Sequence, residues 1–289
     1  MHFCGFTIFS LYDIIGLIFI QNEGGLTMIE NANIDGGKGF DFGRTSEDYA
    51  KYRDIYPEEF YNYLIDRGIC TEGQRVLDIG TGTGVLPRNM YKYGARFTGI
   101  DIAPNQIEQA QLLAQAGGMD IEFAASPAED INFPAETFDA VTACQCFTYF
   151  NHAILAPQIS NILKPGGRFA VLYMAWLPYE DKIAGASEDL VLKYSPNWTG
   201  CGETRRLIGV PSEYEEYFEV ESREMFDLNV PFTRETWNGR MKSCRGIGAS
   251  LPEEEIAKFE REHMELLANI APSEFEILHY AAVTILRKR

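Results

Sequence analysis

The segment Arg75-Val76-Leu77-Asp78-Ile79-Gly80-Thr81-Gly82-Thr83-Gly84 constrains this chain more than any other. Val76, Leu77 and Ile79 form a short apolar run with β-branched character, as in a strand buried on both faces. Three glycines at alternate positions then turn the chain. They permit positive φ and let a ligand come close to bare backbone. Val85 to Met90 starts a helix, with Pro87 tolerated in its first turn. Strand, glycine turn and helix N-terminus together predict a site for a nucleotide-like ligand.

The spacing bears on which ligand. A dinucleotide fingerprint reads G-x-G-x-x-G and sets a pyrophosphate on the helix N-terminus. Here the glycines are Gly80, Gly82 and Gly84, and Asp78 stands two residues before the first. A carboxylate there repels a pyrophosphate and suits an ammonium group. S-adenosylmethionine carries such a group and no phosphate. Asp101 ends the next apolar run, Phe97-Thr98-Gly99-Ile100, where a carboxylate can accept both hydroxyls of a ribose.

At 289 residues the chain is long enough for one large α/β domain with a full core. Its formal net charge of −17 repels a phosphate backbone, which argues against nucleic acid as substrate. The six cysteines lack metal-finger spacing, so they read as reduced thiols of a cytoplasmic protein. Phe6 to Ile20 is mostly apolar but is broken by Asp13 and is short for a membrane span. Glu23-Gly24-Gly25 lies a short way before Met28, as a translated ribosome-binding sequence would. Residues 1–27 are therefore expected to be a translated upstream leader, with Met28 the true start. Residues 28–45 are rich in glycine and asparagine and are expected to be poorly ordered. Tyr49, Tyr52, Arg53 and Tyr56 crowd before Pro57, and residues 28–60 are expected to form a flexible N-terminus and a helical lid over the cofactor.

Beyond it, helices are predicted from Glu58 to Ile65 and from Pro104 to Ala116. Strands are predicted over Ile121–Ala124, Phe138–Cys144 and Arg168–Ala175. A helix from Ile154 to Leu163 should stop at Lys164-Pro165-Gly166-Gly167. The alternation of strand and helix makes the sheet mostly parallel.

These segments carry a family resemblance. The glycine turn with Asp78, then Asp101, Ala128-Glu129-Asp130, Phe138-Asp139 and Leu163-Lys164-Pro165-Gly166-Gly167 occur in order. Over about residues 42–175 the chain resembles the class I S-adenosylmethionine-dependent methyltransferases, in the small-molecule branch with ubiquinone/menaquinone-type enzymes. The resemblance implies a Rossmann-like, seven-stranded, mostly parallel sheet with helices on both faces and an antiparallel last strand. Glu219–Val230 and Phe275–Arg287 alternate suitably for strands six and seven. It implies a methyltransferase domain over 61–289, with a substrate-covering segment at 176–274. Asp78, Gly80, Thr81 and Gly82 would face the cofactor's methionine end, joined by Cys144 and Gln145 at the end of strand four. Asp101 would hold the ribose, with Ile102 and Gln106 beside it, and Ala128 and Glu129 would flank the adenine. Phe42, Gly43, Tyr49, Tyr52 and Arg53 are similar to a cofactor lid of relatives.

The expected reaction is in-line methyl transfer to a small molecule, with no nucleic acid or membrane partner and a homodimer left open. His152, just past strand four, is the candidate base, since His2, His263 and His279 fall away from the carboxyl edge of the sheet. Tyr149, Tyr173 and Trp176 could line the acceptor pocket. A helix over 234–245 would concentrate Arg234, Arg240, Lys242 and Arg245 beside Trp237, which suits an anionic acceptor held by Arg240 or Arg245. A solvated basic face is the plain alternative. Glu253 to Leu267 should be a surface helix with Ile256, Phe259, Met264 and Leu267 inward. Other readings stay open: thiol or arsenite methylation through Cys144, Cys146, Cys201 and Cys244, a nicotinamide-dependent oxidoreductase, or a cofactor-binding module without catalysis.

Overall fold

The structure, a computed structural model, describes residues 17–21, 27–31 and 33–289, with side chains from residue 33 onward except those of residues 42, 43 and 49. The expectation of a leader over 1–27 lies largely outside the described residues. Within them, β1 (Leu17–Gln21) pairs antiparallel with β2 (Thr27–Asn31).

Residues Asp54–Leu177, Glu203–Pro231 and Glu276–Arg289 form one compact unit, built on a sheet. Its strands are β3 (Arg75–Ile79), β4 (Arg96–Asp101), β5 (Glu122–Ala125), β6 (Phe138–Cys144), β7 (Leu163–Trp176), β8 (Phe218–Thr233) and β9 (Glu274–Lys288). They lie in the order β5-β4-β3-β6-β7-β9-β8. The run from β5 to β7 is parallel, and β9 joins β7 antiparallel. The expected seven-stranded sheet with an antiparallel last strand is thus present. Val76, Leu77 and Ile79 on β3 are fully buried, as a strand covered on both faces requires. The chain leaves β3 toward β4 and β5, then returns on the other side at β6. That reversal opens a crevice at the carboxyl ends of β3 and its neighbours, where open α/β sheets bind ligands.

Helices α2 (Glu58–Ile65) and α4 (Pro104–Ala116) match their predicted spans, and α3 (Val85–Met90) follows the glycine turn. Helix α5 (His152–Ile162) starts two residues earlier than expected, where the Glu129 carboxylate accepts Asn151 N–H at 2.8 Å and so satisfies an amide at the helix entry. Lys164 to Gly167 makes no loop. It becomes an irregular start to β7, with Leu163 opposite Phe138 and Arg168 opposite Ala140. Asp139 fastens this end of the sheet, accepting from Arg75 N–H at 2.8 Å and from Lys164 Nζ at 2.7 Å. Burial opposes ionisation of Asp139, but these two partners hold its carboxyl below the usual carboxylate range.

Residues Met1–Arg53, Pro178–Gly202 and Phe232–Phe275 form the second unit. Its helices are α1 (Ser46–Tyr52), α6 (Lys182–Tyr194), α7 (Arg234–Lys242) and α8 (Glu253–Ile270). Asp181 caps α6 by accepting from Ile183 N–H and Ala184 N–H, and Thr233 with Thr236 forms a capping box on α7. Residues 33–45, expected to be poorly ordered, contain two short 3-10 turns and the buried Asp35 and Phe40. The reason is a partner the local composition hides: Asp35 is held by Arg245 and Thr199.

The inward face of α8 differs from expectation. Ile256, Phe259 and Leu267 are buried, but Met264 is 37% exposed and His263 takes the inward place. Positions 256, 259, 263 and 267 lie on one helical stripe, and 264 lies a step around it. His263 is tolerated inside because Nδ1 meets Asn238 Oδ1 at 2.8 Å and Nε2 meets Ser187 Oγ at 3.0 Å. Among the described residues no helix is long and apolar enough to cross a membrane.

Candidate functional site

The glycine turn joins β3 to α3 through Gly80, Gly82 and Gly84, all at positive φ. The three glycines serve different ends. A Cβ on Gly84 would lie 2.6 Å from Phe123 Cζ on β5, so this position permits close packing of the turn on the sheet. A Cβ on Gly80 would lie 2.7 Å from Cys146 Sγ, so the bare backbone there admits Cys146, which donates to Ile79 O at 3.1 Å. Gly82 is half-buried, and its N–H donates to Asp101 Oδ2 at 2.8 Å.

Asp101 ends β4. Its other oxygen accepts Ala103 N–H at 2.9 Å, so two backbone amides fix the carboxylate beside the turn. Each oxygen keeps lone-pair capacity for a further donor. Asp78, 2% exposed on β3, accepts from Thr142 Oγ1 on β6 at 2.6 Å. Burial pushes Asp78 up to about 6; the hydrogen bond from Thr142 pulls the other way, and the charge of Asp101 adds to the rise. Burial raises Asp101 as well, against the two backbone hydrogen bonds. No cation acts on either group among the described residues. Two desolvated carboxylates without a positive partner suit a cationic, hydroxyl-bearing ligand and disfavour an anionic one. On this observation the residues present fit S-adenosylmethionine.

The rest of the crevice is built from the segment after β6. Gln145 has φ of +67°, a strained setting for a residue other than glycine; its N–H reaches Leu172 O at 2.9 Å and its side chain reaches Met174 O. Cys144 and Gln145 are half-buried, as are Ile102 and Tyr149; Gln106 is buried on α4. Ala128 is buried and Glu129 caps α5, with its backbone oxygen also accepting from Gln158. His152 begins α5, half-buried, with Nδ1 at 3.2 Å from Tyr214 OH and its ring 4.6 Å from Phe147. Burial lowers the His152 pKa.

Two residues at this sheet edge escaped the sequence reading. His279, expected away from the edge, stands opposite Trp176, the last residue of β7, in the β7–β9 pairing. The alternation of β9 was legible, but its register against β7 was not. Tyr61 on α2 is buried, and its ionisation is opposed by burial and then by Asp54 and Cys144. Asp54 in turn accepts from Asn89 at 2.7 Å and from Arg88 at 3.3 Å.

Trp176 is 6% exposed, with its ring edge-on to His279. Tyr49 lies on α1 and Arg53 just past it, both in the second unit, as are Trp237, Arg240 and Arg245. Trp237 is fully buried, and its Nε1 donates to Ser187 Oγ at 2.9 Å. Arg240 is buried, with Nη1 at 3.3 Å from Cys244 Sγ. Arg245 pairs with Asp35, Lys242 with Asp48 and Glu260, and Arg234 donates to Ala271 O. Arg245, Lys242 and Arg234 are thus engaged by internal partners, while Arg240 is buried against the Cys244 thiol. Cys201 donates to Trp198 O, and no cluster of three metal-binding side chains exists among the described residues.

Residues 77–171 match the family described as a methyltransferase domain. The ubiquinone biosynthesis O-methyltransferase of Methylocella silvestris is 34% identical over 140 residues, 47% of this chain and 53% of that protein. The enzyme of the same description from Bradyrhizobium sp. is 32% identical over 133 residues, 45% of this chain and 51% of that one. The chain thus spans about half the length of the curated relatives it matches. A structure solved for the conversion of a disulfide bond into a thioacetal group during echinomycin biosynthesis has a TM-score of 0.50 at 17% identity. That likeness covers 84% of this chain and 92% of the other and shows the shared fold. Residues 77–171 are thus similar to a methyltransferase domain, in a chain that resembles the class I S-adenosylmethionine-dependent methyltransferases.

Proposed function

We propose that this protein binds S-adenosylmethionine in the crevice after β3 and β4 and transfers its methyl group to a small-molecule hydroxyl. The observation that carries the reading is the pair Asp78 and Asp101, two desolvated carboxylates without a cation, set on either side of the glycine turn. Asp101 is held by two amides in the pose that can receive ribose hydroxyls, and Asp78 supplies charge for the ammonium end. Hydroxyl rather than amine or thiol as acceptor follows the relatives, which are described as O-methyltransferases.

The bound cofactor supplies an activated methyl on sulfonium. The chain's share is to align the acceptor oxygen with that methyl, exclude water and take the hydroxyl proton. His152 is the candidate base. A lowered pKa keeps its imidazole neutral at pH 7, and Tyr214 fixes the ring through Nδ1, so Nε2 is left to receive the proton when Nδ1 carries hydrogen. With the cofactor bound, Nε2 of His152 would take the proton of the acceptor hydroxyl.

An anionic acceptor is not part of this reading: of the two cations expected to hold it, Arg245 is paired with Asp35, and Arg240 is buried against Cys244. The test is transfer of label from methyl-labelled cofactor into a panel of phenols, catechols, amines, thiols and carboxylic acids. Label confined to hydroxyl acceptors supports the reading; label in amines or thiols alone overturns its acceptor class. With an acceptor found, His152→Asn should lower kcat by about 100-fold and leave the cofactor's KM unchanged. Unchanged kcat removes His152 from the mechanism.

A further inference from the structure

Thr142 occupies a fully buried position in the middle of the parallel sheet, where an apolar β-branched residue is the ordinary choice. A hydroxyl there is costly unless it is hydrogen-bonded. Thr142 stands directly opposite Asp78 in the β3–β6 register, and its Oγ1 donates to Asp78 Oδ1 at 2.6 Å. Two polar side chains, 0% and 2% exposed, have thus been placed as a pair at the strand that leads into the glycine turn.

The groups around Asp78 give it little other support. Asp101 on β4 adds a like charge. Cys70, before β3, is fully buried, and Cys146, after β6, lies against Gly80; both thiols are pushed up by burial and then by the charge of Asp78. None of these neighbours is a cation. An ionised Asp78 therefore rests on the Thr142 hydroxyl until a ligand brings a positive charge.

We infer that Thr142 is a positioning residue for the cofactor: its hydroxyl fixes the orientation and the ionised form of Asp78 that receive the ligand's ammonium group. The inference rests on the cofactor reading above and deepens it. Thr142 touches no reacting atom; it acts through Asp78. Its loss should appear as a changed pH dependence of ligand binding, confined to ligands that carry the ammonium.

The experiment is calorimetric binding of S-adenosylhomocysteine from pH 5 to 8 to the wild type, Thr142→Val and Thr142→Ser. 5′-Methylthioadenosine, which lacks the amino-acid end, serves as the second ligand. Binding needs ionised Asp78, so wild-type affinity for S-adenosylhomocysteine should be level above about pH 6 and fall by up to about tenfold per pH unit below it. In Thr142→Val, which keeps the volume, that break should move up by about one pH unit, with affinity down about twofold at pH 7 and about tenfold at pH 5. Thr142→Ser should restore the wild-type profile. Affinity for 5′-methylthioadenosine should be the same in all three proteins, which also shows that the variants are folded. The inference is overturned if the Thr142→Val profile superimposes on the wild type, or if both ligands weaken by the same factor. If the wild type binds neither nucleoside, the cofactor reading itself fails, and this inference falls with it.

Discussion

Arg245 grips Asp35 with both ends of its fork: Nε donates to Oδ2 at 2.7 Å and Nη2 to Oδ1 at 3.1 Å. Thr199 adds its N–H to the same carboxylate at 2.7 Å. Asp35 is 6% exposed, so these contacts replace its water. Burial opposes its charge, yet Arg245 and Thr199 hold its carboxyl below the usual carboxylate range.

Arg245→Met should therefore destabilise the protein by about 3 kcal/mol at pH 7, the effect of stranding a buried charge. The sign with pH follows from the depressed folded pKa. The pair's stabilisation is complete above the unfolded carboxylate value of about 3.9 and is lost as pH falls through the lower folded value. Denaturant midpoints of the two proteins should accordingly converge in strong acid. A variant as stable as the wild type at pH 7 would show that the pair contributes nothing to the fold.

Much of the fold was legible because its signals are local. Helices α2 and α4 kept their predicted bounds, and β6 ran from Phe138 to Cys144 as expected, since apolar period, proline and glycine lie within each segment. The glycine turn and its two acids were legible for the same reason. What escaped depended on distant partners. Asp35 and Arg245 are 210 residues apart, so nothing near either revealed that the cation was engaged or that residues 33–45 were anchored. The outward turn of Met264 was hidden because a histidine does not look like a core residue, although its place on the stripe was right.

His263 gives a second prediction. Burial lowers its pKa to about 4, against 6.5 for a free imidazole. Between those values the unfolded chain binds the extra proton, so stability should fall as the solution is acidified from pH 6.5 to 4, by roughly 3 kcal/mol at most. His263→Gln can keep polar contact with Ser187 and Asn238 but does not titrate. Its stability should lose this slope. Identical slopes in chemical denaturation across that range would contradict the assignment.

Gly84 should tolerate no side chain. Its φ is +72°, and a Cβ would sit 2.6 Å from Phe123 Cζ and 3.3 Å from Ala110 Cβ. Gly84→Ala should cost about 2–4 kcal/mol, part from the left-handed backbone and part from overpacking. Adding Phe123→Leu should recover the overpacking part alone. Full recovery, or none, in thermal unfolding would show that the cost has been divided wrongly.

The proposed cofactor site in the crevice after β3 and β4 depends on its two carboxylates. The most direct measurement is titration calorimetry of S-adenosylmethionine, S-adenosylhomocysteine and NAD against the wild type and Asp101→Ala. The wild type should bind both sulfur nucleosides and not NAD. Asp101→Ala, still folded, should lose roughly 2–4 kcal/mol of that affinity, the worth of two charge-assisted hydrogen bonds. Binding of NAD in place of the sulfur nucleosides, or a folded Asp101→Ala with wild-type affinity for S-adenosylmethionine, would contradict it.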